Sequence, residues 1–237
     1  MANQADLASP PFRILFEDQQ LLVLSKAPGL LSQGDISGVP SLVDLLKIHF
    51  GRNFVGLVHR LDRNTSGLMI IAKRSKSAER LTKQLQVGSL VRIYHALLLG
   101  TLTLKKTIHW EHWLLKNNST NEVKVVAPQT LAAKNAKLLV TPLLNFSDPR
   151  TLTPITLASF ELETGRSHQI RVQAKEAGYP LIGDTKYGNA KGMTLFHRPA
   201  LHSCELRFLH PISGEKMSFV ERYSSDMIAS FPALSDY

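Results

Sequence analysis

Cysteine is almost absent. Cys204 is the only one in 237 residues, which excludes an intrachain disulfide and leaves no thiolate set for a cysteine-based metal site. A reducing cytoplasm is the simplest home for such a chain. Long apolar runs are missing too, and no stretch approaches the roughly 20 residues that a membrane-spanning helix needs. The opening residues, 1–11, contain Asp6 but no lysine, arginine or extended apolar core; they do not read as a secretory signal. No P-loop, dinucleotide fingerprint or metalloprotease motif is found. Acidic residues are the scarcer charge, 19 against 28 lysines and arginines, for a formal net charge of +9. That sign suits a polyanionic partner, since each neutralised phosphate releases counterions, although a basic surface alone is also commonplace.

What is present is ordinary globular composition, 43% hydrophobic and 20% charged, enough for one large domain or two closely packed halves. Residues 12–16 and 21–24 are apolar runs around Glu17-Asp18-Gln19-Gln20 and predict a hairpin. Ser41 is placed to cap a helix carrying Leu42, Leu45, Leu46 and His49. Residues 54–58, 68–72 and 92–99 predict strands, with a helix from Ser77 to about Gln86 before Gly88. A hairpin over 108–127, strands over 137–146 and 155–163, and a helix capped by Ser167 and stopped by Gly178 follow. A last hairpin joins 204–209 to 216–220. Strands dominate, so the expected class is α+β with a largely antiparallel sheet.

The densest polar stretch is His59-Arg60-Leu61-Asp62-Arg63-Asn64-Thr65-Ser66-Gly67, between two strand-like runs. Polar loops held by rigid strands are common mounts for functional groups. From spacing alone, Asp62 fits a catalytic carboxylate and equally an Asx-type turn that caps backbone amides. On strand periodicity Tyr94 reads first as a core residue. His109 and His112 fall on opposite faces of a strand with no third ligand evident, which argues against zinc. Trp110 and Trp113 read as packing residues. Lys73, Arg74, Lys76, Arg80 and Lys83 fit a solvated helix face or an RNA-facing stripe.

His59–Leu68 resembles the signature His-Arg-Leu-Asp-x-x-Thr-Ser-Gly-Leu of the RluA-type RNA pseudouridine synthases. Residues 16–26, Arg92-Ile93-Tyr94-His95-Ala96 with Gly100, and Glu163–Val172 followed by Gly183-Asp184 and Tyr187-Gly188 resemble further family segments in the same order. The resemblance spans about residues 12–220. It implies the pseudouridine synthase fold: a mixed, mainly antiparallel sheet in two packed halves, with flanking helices and a central catalytic cleft. It implies a catalytic domain over 12–224, between a lead-in at 1–11 and a tail at 225–237, with no N-terminal S4 domain.

The implied reaction detaches uracil from C1′ of uridine and rejoins it through C5, with no cofactor or metal. By resemblance, Asp62 is the catalytic carboxylate, acting as a nucleophile or taking a sugar proton. Arg166 is similar to the arginine that pairs with it, and Tyr94 to the tyrosine that stacks on uracil. Ile170 resembles the aliphatic residue against the target base. Arg60 resembles the residue that fills the space of a flipped-out nucleotide, and it equally fits a phosphate contact. The implied partner is a structured RNA, ribosomal or transfer; the lone cysteine points to the cytoplasm, and with no strong exposed apolar stripe evident a monomer is expected. A glycosidase-like hydrolase would need a second carboxylate or a metal, and a pure RNA binder would not need Asp62. The chain departs from the family in having Lys26-Ala27-Pro28-Gly29 where Lys-Pro-Ala-Gly is usual, and Gln173 where histidine is common.

Overall fold

A computed structural model describes residues 11–35 and 37–236; all of the expected lead-in except Pro11 lies outside the described residues. The first hairpin forms as its apolar runs predict, from β1 (Phe12–Glu17) and β2 (Leu21–Lys26). Its turn is held by Asp18, whose carboxylate accepts the backbone N–H groups of Gln20 and Leu21. Residues Leu21 to Leu24 are all fully buried, because β2 is covered on both faces and needs no polar alternation. Helix α1 (Leu42–Phe50) begins at Ser41, whose N–H is accepted by Asp44, and ends at Gly51 in the left-handed region.

The strand expected over 54–58 is only two residues, β3 (Gly56–Leu57), wedged beside the wholly buried β4 (Ser66–Ala72). Helix α2 (Ser75–Gln86) starts two residues earlier than the apolar spacing predicts. Next come β5 (Val91–Leu99), β6 (Ile108–Asn117), β7 (Glu122–Val126), β8 (Lys134–Ser147) and β9 (Pro154–Leu162). Helix α3 (Gln169–Glu176) is followed by the single turn α4 (Ala190–Met193), then β10 (Leu201–Leu209) and β11 (Lys216–Val220).

Among the described residues the strands make one sheet, ordered β1-β2-β4-β10-β5-β9-β8-β6-β7, with β3 added to β4 and β11 to β10. Only β4 and β10 run parallel. This is the α+β, mainly antiparallel mixed sheet that the sequence predicts, and β4, β10 and β5 join its two halves. One face buries Leu24, Met69, Ala96, Val140 and Phe160 in a core shared by both halves. On the other face, α2 covers Leu21, Val23 and Ile70 in one half. The other half is covered by residues expected to form a tail: Met227 of α5 (Ser225–Ser230), Phe231 and Leu234 are buried against Leu97, Ile155 and Leu157.

The parallel contact is short and close. It pairs Ser66 with His202 and Gly67 with Ser203, and then the two strands part. Gly67 has φ +106°, and a Cβ there would lie 2.1 Å from the Ser203 carbonyl oxygen; only glycine permits this approach. Beyond the fork, the Ile70 N–H on the freed edge of β4 is accepted by Nε2 of His59 at 3.3 Å. The imidazole thus replaces a missing strand, which requires it neutral with its proton on Nδ1.

Burial, aided by the nearby Arg92 cation, pushes His59 down to about 3. Burial also lowers His202 to about 3 and His95 to about 4. These depressed folded values mean that the unfolded chain binds more protons below the ordinary histidine value of 6.5. The neutral histidines therefore favour the fold fully above that pH and progressively less as pH falls. Each should remove up to about 1.4 kcal/mol per pH unit. Urea unfolding between pH 7 and 4.5 should show stability falling with a slope that approaches three protons. A flat profile down to pH 5 would contradict this account.

Candidate active site

The loop from His59 to Thr65 is fixed from below. Lys26, 1% exposed, donates from Nζ to the carbonyls of Ala27, Leu30 and Arg63 at 2.9, 2.9 and 3.1 Å. Burial pushes its ammonium down to about 7, and the Arg198 cation adds to that effect. The Gly29 N–H also donates to the Arg63 carbonyl, and Arg63 Nε donates back to the Gly29 carbonyl. Ser32 brackets Leu61, donating to its carbonyl and accepting its N–H. Within Lys26-Ala27-Pro28-Gly29 the outer two residues hold the loop. With proline at 28 rather than 27, Ala27 keeps an N–H, which bonds the Pro11 carbonyl at 2.9 Å.

The far side of the loop is held by Arg198, which is 3% exposed. It donates to the Asn64 carbonyl at 3.1 Å and is clamped by Asp226 at 2.7 and 2.9 Å. The C-terminal segment thereby braces the loop.

Asp62 sits at the crest, half-buried. Its backbone carbonyl accepts the Thr65 N–H, but its carboxylate accepts no backbone amide among the described residues. The Asx-turn alternative is therefore set aside: this carboxylate is not spent on capping. Among the described residues its one hydrogen bond comes from Arg171 Nη1 at 3.1 Å. Arg171 projects from α3 and is locked on its other edge by Asp184, with Nε to Oδ2 at 2.7 Å and Nη2 to Oδ1 at 2.8 Å. The Tyr187 ring lies 5.0 Å from the guanidinium carbon.

Asp184 is fully buried and also accepts the backbone N–H groups of Lys186 and Tyr187. Burial raises its carboxyl, but the Arg171 bonds and charge outweigh this and leave it lowered. Burial likewise opposes the Arg171 charge, and Asp184 and Asp62 more than offset it. Such a fork leaves the guanidinium one orientation and presents its free edge to Asp62.

The pairing expected for Arg166 is thus made by Arg171. Arg166 lies outside the helix, exposed, with Nε on the Asn135 carbonyl at 2.9 Å. His168 takes the left-handed region at φ 52° and stands at the N-cap in place of Ser167, and Gln169 Oε1 accepts the Arg166 N–H. The helix begins at Gln169, so it is Arg171 that points inward.

Tyr94 and Ile170, both 4% exposed, pack with Leu61 in the core cluster under the loop. Burial raises the Tyr94 phenol. Arg60 is exposed beside Asp62 and forms no ion pair among the described residues. Trp110 is buried in the same core, while His109 meets Glu163 and His112 meets Gln173. Among the described residues no cluster of histidine, cysteine and acidic side chains has metal-holding geometry. Lys73, of the basic stripe, is paired to Glu17 at 2.6 Å.

The sequence reasoning missed Arg171, Asp184, Lys26 and Arg198. For Arg171 a signal exists: a charged residue between Ile170 and Val172, inside a helix too apolar there to expose it.

A mixed sheet with a carboxylate on a braced central loop, paired to a fixed guanidinium and flanked by a buried tyrosine, defines a class. The model of the RNA pseudouridylate synthase family matches residues 20–176. A ribosomal large subunit pseudouridine synthase D of Zymomonas mobilis is 32% identical over 243 residues, covering 94% of this chain and 73% of that protein. A ribosomal large subunit pseudouridine synthase C of Buchnera aphidicola is 34% identical, covering 87% of this chain and 66% of that one. The solved structure of human RNA pseudouridylate synthase domain containing 1 has TM-score 0.73 at 22% identity, covering 95% of this chain and 86% of that one, a likeness of fold. This chain belongs to the RNA pseudouridylate synthase family, and it isomerises uridine to pseudouridine in RNA.

Proposed function

We propose that this enzyme acts on large-subunit ribosomal RNA and that Asp62 is the carboxylate that reacts at the ribose. The observation that carries this reading is the Asp62–Arg171–Asp184 chain: a carboxylate without a capping role, held by a guanidinium that a buried acid fixes in place. Asp62 either attacks C1′, giving a sugar ester, or takes the C2′ proton, giving a glycal. Both routes release uracil, which turns and bonds C1′ through C5. No oxidant, reductant or group donor is needed to balance the atoms.

A uridine in folded RNA has to leave its stack to reach Asp62. Tyr94 and Ile170 would then lie against the base, and the exposed, unpaired Arg60 is suited to fill the vacated space or hold the adjoining phosphate. The names of the relatives favour ribosomal over transfer RNA. We assign the protein to the cytoplasm, in keeping with its single cysteine, and take it to be a monomer. Mapping pseudouridine across total RNA with and without the gene should show loss at discrete large-subunit positions. Loss confined to transfer RNA would overturn the ribosomal assignment.

A further inference from the structure

Arg92 is a buried cation without a counter-ion. It is 5% exposed, yet no hydrogen bond or ion pair engages its guanidinium among the described residues, and its Nε is fully enclosed without a partner. An uncompensated buried charge is destabilising, so the fold gains nothing from it unaided. The neighbouring backbone nevertheless leaves room for it. Gly165 does not have positive φ, so its backbone has no need of glycine; a Cβ there would lie 2.8 Å from Arg92 Nη1. Arg92 also precedes Tyr94 by two residues on β5, on the strand that carries the tyrosine into the site.

We propose that Arg92 is a further catalytic residue, donating hydrogen bonds to a carbonyl oxygen of the target uracil and stabilising the negative charge left on the ring when N1–C1′ breaks. This rests on the Asp62 reading above. By either Asp62 route the bond's electron pair leaves with N1 and spreads onto O2 and O4, where a guanidinium can meet it. Arg92 keeps its protons. C5 then bonds C1′ as the Asp62–C1′ ester bond breaks, or adds to the glycal as Asp62 returns the proton to C2′. C5 loses its proton to water and N1 takes one, which leaves the ring neutral. A phosphate is the poorer partner, because phosphates stay at the RNA surface and Arg92 is enclosed at the depth of Tyr94.

The test compares Arg92→Met with the parent enzyme on large-subunit ribosomal RNA transcribed with uridine or with 5-fluorouridine, whose fluorine itself stabilises the uracil anion. That fluorine leaves no C5 proton to lose, which halts the reaction once the C5–C1′ bond has formed. Single-turnover formation of the C-glycoside is followed by nuclease digestion and chromatography. On uridine the variant should be slower by about 10²–10³-fold. On 5-fluorouridine the deficit should shrink by about tenfold, one order of the barrier effect. The melting temperature should hold or rise, since an unpaired buried charge has been removed. Arg92→Lys, which keeps charge but loses the fork, should fall between the two. Equal deficits on both RNAs, or an Arg92→Met protein that melts earlier or fails to fold, would overturn the proposal in favour of a structural role. Absence of turnover by the parent enzyme on the uridine transcript would instead strike the underlying reading, and this proposal with it.

Discussion

Asp62→Ala is expected to release no tritium from C5-labelled ribosomal RNA while binding that RNA as tightly as the parent protein. The side chain is half-buried, caps nothing, and takes its one hydrogen bond from Arg171. Removing it therefore leaves the loop's braces at Lys26, Ser32 and Arg198 untouched. If the carboxylate reacts at the sugar, nothing else in the cluster can replace it: Asp184 is fully buried behind Arg171. The loss should reach about 10⁴-fold or more, a barrier rise of at least about 5.5 kcal/mol. Asp62→Asn, close in shape, should be as inactive, which separates carboxylate chemistry from mere packing. Affinity rests on the basic surface and phosphate contacts and should change little.

Arg171→Met should cost both activity and stability, whereas Arg166→Ala should cost little of either. Arg171 makes three bonds to two carboxylates. Its loss strands Asp184 without its buried counter-ion, a change worth about 3–5 kcal/mol in comparable cases, and leaves Asp62 unoriented. Arg166 is exposed and bonds one carbonyl, so its truncation belongs to the surface class, within about 0.5 kcal/mol. Urea denaturation and single-turnover tritium release measure the two quantities separately. Pairing Arg171→Met with Asp184→Leu should return much of the stability, by removing the stranded charge, yet none of the activity. The opposite ranking of Arg166 and Arg171 would restore the arginine that the motif order favours.

Much of this was legible before any coordinates. The apolar runs of β2 and β4 and the turn residues around Asp18 and over 117–121 announce strands and hairpins through local chemistry, and the polar loop stands out against them. What was hidden depends on distant partners. The β3 strand shrinks because His59 takes over part of the β4 edge, a bond between residues that sequence order does not single out. The helix expected from Ser167 starts at Gln169 because Gln169 reaches back to Thr164, Arg166 and Lys137. Arg166 precedes the helix whether it starts after Ser167 or at Gln169; it is Arg171, on the helix, that reaches Asp62. The loop-bracing bonds of Lys26 and Arg198 go to main-chain carbonyls, which leave no mark in a sequence. Residues 225–236 looked like a tail because Met227, Phe231 and Leu234 are too sparse to show a period.

The most direct measurement of the central claim is tritium release from large-subunit ribosomal RNA, labelled at uracil C5, by the parent protein and by Asp62→Asn side by side. The account predicts stoichiometric release by the parent at discrete sites, with the base retained in the polymer, and none by Asp62→Asn at equal RNA occupancy. Comparable release by both proteins would contradict it.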